Sequence, residues 1–170
     1  MLLENSSPTQ FERNWAMLAH LSALLTLFVG LSTGGTGAVA ALLVPLALYL
    51  YFRERSTYVA FHALQATAFQ SFAGIAFVVG AGLGATLVAL AWIVTVALSF
   101  ALVGLLLAPF TFIITIVVVG SLLALPVAGL AYALRGGYLV YHSQPFEYPW
   151  VGALVKRTMG APVAAPPTPA

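Results

Sequence analysis

The chain has 170 residues, of which 62% are hydrophobic and 6% charged, with six Lys/Arg, four Glu, three His and no Cys. About a quarter of the residues in a water-soluble domain are charged, so lipid is expected to replace water as the main solvent. The composition excludes disulfides, thiolate metal sites and a cysteine nucleophile, and the net charge of +2 without a basic run leaves nucleic-acid binding no electrostatic footprint.

In chain order, residues 1–8 read as a polar lead. Thr9-Gln10-Phe11-Glu12 has capping-box spacing and predicts a helix start. The helix then enters an apolar run at Trp15, a residue suited to the headgroup boundary. Leader charges Glu4 and Glu12 beside only Arg13, with the small-x-small mimic Ala38-Val39-Ala40 far from the apolar core, argue against a cleaved signal peptide. With no Arg/Ser-rich transit segment, the expected site is the cytoplasmic membrane of a prokaryote.

Ser32-Thr33-Gly34-Gly35-Thr36-Gly37 predicts a tight turn, and a second short limb runs to Phe52 with a kink expected at Pro45. Ser56-Thr57 predicts the cap of a third helix. Its first turns, Tyr58–Gln70, place His62, Gln65 and Gln70 on one broad side, so this segment is expected to start amphipathic and interfacial. Gly80-Ala-Gly82-Leu-Gly84 is expected to break it. Thr86–Leu107, ended by Ala108-Pro109, and Phe110–Leu134, kinked at Pro126 and closed by Arg135-Gly136-Gly137, are further full-length apolar segments. From Ser56 to Leu134 there is no Asp, Glu, Lys or Arg. A membrane span takes roughly 20 apolar residues, and these runs are apolar on every side rather than alternating as in a lipid-facing barrel.

The expected fold class is therefore all-α, a polytopic integral membrane helical bundle in one domain, residues 9–157, followed by a disordered Pro/Ala-rich tail, residues 158–170. Segment length alone gives five spans. Charge placement favours four, because an even count puts all six Lys/Arg, and both termini, on the cytoplasmic side.

His20, Ser22, His62, Gln65 and Gln70 are the candidate polar contacts between helices. A polar group in lipid must find a partner, and no intramembrane Asp, Glu, Lys or Arg accompanies these five, which favours hydrogen-bonded packing over a proton or substrate pathway. Trp15, Tyr58, Tyr138, Tyr141, Tyr148 and Trp150 are the candidate interfacial anchors. Metal binding needs three or four convergent ligands, and His20, His62 and His142 lack the spacing; no haem, other cofactor or metal is expected. No G-x-S-x-G, H-E-x-x-H or paired carboxylates occur, so no catalytic residue is assigned and the chain is expected not to be an enzyme. Gly80-x-x-x-Gly84 is a small-xxx-small pattern that suits close helix approach or self-association.

Three motifs stand in order: Arg13-Asn-Trp-Ala-Met-Leu-Ala-His-Leu-Ser22, Tyr58-Val-Ala-Phe-His-Ala-Leu-Gln-Ala-Thr-Ala-Phe-Gln70 and Phe146-Glu-Tyr-Pro149. Over Phe11 to Val151 the chain resembles a family of small bacterial membrane proteins of unknown function, itself similar to Tic-twenty, a component of the chloroplast inner-envelope protein translocon. The resemblance implies a four-helix membrane bundle with both ends cytoplasmic. Its matched positions are Arg13, Trp15, His20, Phe61, His62, Gln65, Gln70, Tyr148 and Pro149. The chain departs from the pattern at Leu64-Gln65, where a charge is common, at Glu147, where the family often has a basic residue, and in a longer stretch between His62 and Tyr148.

The expected function is interaction, assembly or a translocation-related role, with the lipid bilayer and other membrane proteins or further copies of the chain as partners. The alternatives are a small accessory subunit of a larger energy-transducing membrane complex and, more weakly, a small-solute transporter.

Overall fold

Thr9 starts the first helix as the sequence predicts. Its hydroxyl accepts from the Glu12 backbone N–H at 3.2 Å, and its own N–H donates to Glu12 Oε2 at 2.8 Å. In the computed structural model, which describes residues 7–160, the elements are α1 (Gln10–Ser32), α2 (Ala38–Ala41), α3 (Leu43–Phe52), α4 (Thr57–Ser99), α5 (Val103–Tyr141) and α6 (Val151–Thr158). The described residues contain no strand. Residues 1–6 of the expected lead and 161–170 of the expected tail lie outside the described residues.

Three helices, α1, α4 and α5, are long and apolar enough to cross a membrane. The expected count of four is corrected by the second limb of the first hairpin. Gly34 and Gly35, at φ 62° and 94°, turn the chain at the end of α1, a conformation that glycine adopts without steric cost. The return limb is then split at Leu42 into helices of four and ten residues. The split has a local cause: Pro45 has no N–H to offer the Ala41 carbonyl, so it fits the first turn of a new helix and not the interior of an old one.

The later expected breaks are also corrected. Gly80-Ala-Gly82-Leu-Gly84 lies inside α4, which continues for 43 residues, and Ala108-Pro109 lies inside α5, which continues for 39. In hydrocarbon an opened backbone has no water to bond, so glycine and proline are weaker stops there than in water. The turn instead falls at Phe100–Leu102, with Leu102 at φ 63°. Gly104 follows because any Cβ there would strike the Thr95 carbonyl and the Ser99 backbone. Likewise Arg135-Gly136-Gly137 does not close α5, which runs on to Tyr141.

The chain divides into two compact units: Met1–Ser71 with Leu130–Ala170, and Phe72–Gly129. In the first, α1, α3 and the beginning of α4 meet at one end. Phe52 packs on Trp15 at 5.6 Å between centroids and on Phe11 at 6.1 Å. The Ser56 hydroxyl donates to Glu12 Oε1 at 2.6 Å and accepts from the Val59 N–H at 3.2 Å, capping α4 while tying it to α1. The Tyr58 hydroxyl reaches the Val140 carbonyl at 3.4 Å, which brings the end of α5 to the same place. Fully buried Ala16, Ala19, Ala63 and Ala66 let the helices approach closely.

The second unit is an antiparallel helical hairpin made of the later part of α4 and the earlier part of α5. Gly80 faces Leu122 and Gly84 faces Val118, whose Cγ1 lies 2.7 Å from where a Cβ on Gly84 would stand. The small-xxx-small pattern is thus occupied within the chain. Two hydroxyl contacts add to it, Thr95 with Thr111 at 2.6 Å and the Trp92 indole N–H donating to Thr115 at 3.0 Å. Most other side chains in this unit are exposed and apolar.

Candidate functional site: a buried imidazole and phenol cluster

His20 lies in the third turn of α1 and His62 in the second turn of α4. Both are buried, and His20 Nε2 stands 3.2 Å from His62 Nδ1. The other nitrogen of His20, Nδ1, stands 3.0 Å from the Tyr148 hydroxyl. His20 is therefore the middle link of a three-residue chain. Among the described residues His20 is the sole side-chain partner of the Tyr148 hydroxyl, so the phenol donates to Nδ1. His20 then carries its proton on Nε2 and donates it to His62 Nδ1, since a neutral imidazole has one donor and one acceptor nitrogen.

Tyr148 is fixed from every side. Its ring stacks on Phe69 at 3.9 Å and 7°, and its backbone N–H donates to Gln65 Oε1 at 3.0 Å. Phe146, two residues earlier, sets its ring edge-on to His20 at 5.3 Å and 90°. Gly136 provides the room for this: a Cβ there would come within 2.5 Å of Phe146 Cε1. Gly137, beside it, accepts Leu21 of α1. Burial pushes the Tyr148 phenol above its ordinary pKa, so the hydroxyl remains a donor at neutral pH.

A second polar set lies deeper along α1 and α4. Gln70 Nε2 donates to the Ser22 hydroxyl at 3.0 Å, Ser22 donates to the Ala19 carbonyl at 2.7 Å, and Thr26 donates to Gln70 Oε1 at 2.8 Å. All five residues singled out for interhelical contacts are buried in the first unit. The structure pairs His20 with His62 and Ser22 with Gln70, while Gln65 turns to Tyr148; Gln65 Nε2 is the buried side-chain polar atom without a partner among the described residues.

The segment expected to start amphipathic and interfacial carries its polar residues toward other parts of the first unit. The polar side of Tyr58–Gln70 faces α1 and the 146–148 segment, where its imidazole and amides meet hydrogen-bond partners. The expected anchors divide accordingly. Trp150 is 91% exposed, Tyr138 and Tyr141 are exposed, Trp15 and Tyr58 are half-buried, and Tyr148 is buried to 1%. Sequence reasoning missed Tyr148, Phe146, Phe69 and Thr26 as members of the polar core. The compact Phe146-Glu-Tyr-Pro149 motif after the last long helix was the available signal.

The short helix α6 was also unforeseen. It buries Val151 and Val155 against the first unit and pairs Lys156 with Glu147. Among the described residues no group of three or more His, Cys, Asp or Glu stands where it could hold a metal ion. Bonded hydroxyl, imidazole and amide groups in this arrangement can lock helices in register.

No curated protein and no solved structure matches the chain. One family model does, over residues 11–155, a span that contains the whole cluster; it is described as the magnetosome magnetite crystal formation protein family. The match supports the small bacterial membrane protein of the resemblance and gives no support to Tic-twenty. Three apolar helices of spanning length, a buried polar cluster within the matched residues and a match over most of its length place the chain in that family: it belongs to the magnetosome magnetite crystal formation proteins.

Proposed function

We propose that the chain is a non-enzymatic membrane protein that acts through contacts with lipid and protein in the membrane assembly accompanying magnetite crystal formation. The observation that carries this reading is the His20–His62–Tyr148 chain with its Gln65 contact. Its hydrogen-bonding groups are directed at one another, as in a structural core, and the family match supplies the biological setting. Both termini are on the cytoplasmic side in this reading, which has the short limb α2–α3 return the chain to the side where α1 starts; the Phe52 packing on Phe11 and Trp15 and the Ser56–Glu12 bond support that return. The support is the positive-inside rule: all six Lys/Arg fall in the first unit, at or near the helix ends that meet there.

Three experiments test the proposal. In a magnetite-forming bacterium lacking its own family member, the chain should alter crystal size or number in electron micrographs. His20→Gln, which retains hydrogen-bonding capacity, should keep that effect. A folded His20→Gln protein without it would place chemistry at His20. Unchanged crystals, together with stoichiometric recovery in a respiratory complex after mild detergent extraction, would establish the accessory-subunit reading. Reporter fusions after Arg55 and after Arg157 should both give cytoplasmic signals, and a periplasmic signal from either overturns the orientation.

A further inference from the structure

Two turns of the chain join apolar helices with opposite chemistry. The first, between α1 and α2, is Ser32-Thr33-Gly34-Gly35-Thr36-Gly37 and carries three hydroxyls on exposed residues. The second, between α4 and α5, is Phe100-Ala101-Leu102. Phe100 is 92% and Leu102 71% exposed, and Val103, Leu105 and Leu106 just beyond are exposed as well. In sequence the nearest charges on either side are Arg55 and Arg135. A turn that meets water or headgroups is built from Gly, Asn, Asp, Ser and Pro. In the second turn a leucine takes φ 63°, although glycine or asparagine adopts that conformation with less strain.

The second turn also asks little of water. The Ala101 N–H donates to the Leu98 carbonyl and the Leu102 N–H to the Ser99 carbonyl, both at 3.0 Å, and the Leu105 N–H reaches the Leu102 carbonyl at 3.3 Å. The Ser99 hydroxyl donates to the Thr95 carbonyl at 2.8 Å. Irregular backbone exposed to hydrocarbon is costly unless such bonds are made internally. Val103, Leu105 and Leu106 point in three directions around the first turn of α5, at about 100° per residue. A protein partner would cover one side of this tip, whereas apolar residues all round it match a liquid of acyl chains. Phe72–Ser99 is about 42 Å long at about 1.5 Å per residue, against about 30 Å of hydrocarbon. A helix longer than the bilayer core tilts, and tilting keeps an apolar tip out of the far headgroup layer.

We infer, independently of any role in crystal formation, that the Phe100–Leu102 turn lies among the acyl chains of the bilayer and opens no loop to the far aqueous phase. The hairpin is tilted in the bilayer, and its tip is a lipid-contacting surface.

The chain has no Cys, so a single introduced cysteine reports its own surroundings. Full-length Ala101→Cys in dioleoylphosphatidylcholine vesicles is treated with a charged, membrane-impermeant maleimide present on both faces. Maleimide takes the thiolate, and an apolar setting suppresses the thiolate about tenfold for each unit by which it raises the thiol pKa. Folded Ala101→Cys should therefore label at least about tenfold more slowly than the same variant unfolded in denaturant. Thr36→Cys, in the polar turn, checks that the reagent reaches the folded protein. Bimane attached to Ala101→Cys in detergent at alkaline pH should then be quenched in vesicles of phosphatidylcholine brominated in mid-chain. Circular dichroism identifies variants that keep their helix content, and only these are compared. Labelling of folded Ala101→Cys as fast as the unfolded variant places the turn in water and overturns the inference. Slow labelling without quenching by the brominated lipid places it under protein, a second copy of the chain included, and overturns it as well.

Discussion

The two units are made from similar apolar segments yet are held together in different ways. Met1–Ser71 with Leu130–Ala170 contains every His, Tyr, Lys, Arg and Glu of the chain, and Phe72–Gly129 contains none. The first has an interior of imidazole, amide, phenol and alanine. The second has glycines, two hydroxyl contacts and an apolar surface, with Leu83, Ile93 and Leu106 all more than 60% exposed. In water such a surface would be a defect. In lipid, side chains gain little by leaving an equally apolar solvent, so close packing and interhelical hydrogen bonds hold helices together. Specific pairing is therefore concentrated in the first unit.

The largest test of this contrast is His20→Leu. It leaves the Tyr148 hydroxyl and His62 Nδ1 without their partner, and two buried unpaired groups cost about 2–4 kcal/mol in total. Detergent-denaturation titration of the full chain should show that loss; a loss below about 1 kcal/mol would remove the cluster as the clamp of the first unit.

Gly136→Val should rank next. The Phe146 ring must move to admit the new side chain, and overpacking of this kind costs about 1–3 kcal/mol. Gly74→Ala, in the second unit, meets nothing within 4 Å and should change stability by no more than about 0.5 kcal/mol. Equal effects at the two positions would break the comparison.

Alkaline pH should act on the first unit through Tyr148. Its folded phenol holds its proton more firmly than the unfolded one. The associated stability is fully present below the unfolded value, about pH 10, and is lost as pH rises above it. Tyr148→Phe should flatten that decline while keeping the stack on Phe69, and denaturation midpoints across the alkaline range measure it. A small effect is expected of Thr95→Val, which removes the Thr95–Thr111 contact and should cost about 0.6 kcal/mol in the same titration.

Much of the local structure was legible in the sequence because its causes are local. Thr9 and Glu12 specify a helix start through backbone groups three residues apart, and Gly34-Gly35 specify the turn that follows. The later helix boundaries were harder to read because Gly80, Gly82, Gly84 and Pro109 act as stops by exposing the backbone to water, and an apolar solvent removes that option. The site was half legible. His20, His62, Ser22 and Gln70 stand out as polar residues in apolar runs, and the demand for partners suggests that they meet. Tyr148 was obscured because an aromatic residue after a long apolar helix has the same appearance as a headgroup anchor. Its role follows from Gly136 and Phe69, distant residues that make room for it and stack on it.

The segment Phe72–Gly129 carries no formal charge and no group that can gain or lose one. A change in transmembrane voltage does work on charge, about 2.3 kcal/mol per elementary charge per 100 mV, and therefore does no such work on this hairpin. Ionic strength likewise finds no charge there to screen. Sensitivity of the protein to voltage, salt or proton concentration is confined to the other unit, and the hairpin responds to the thickness and packing of the bilayer.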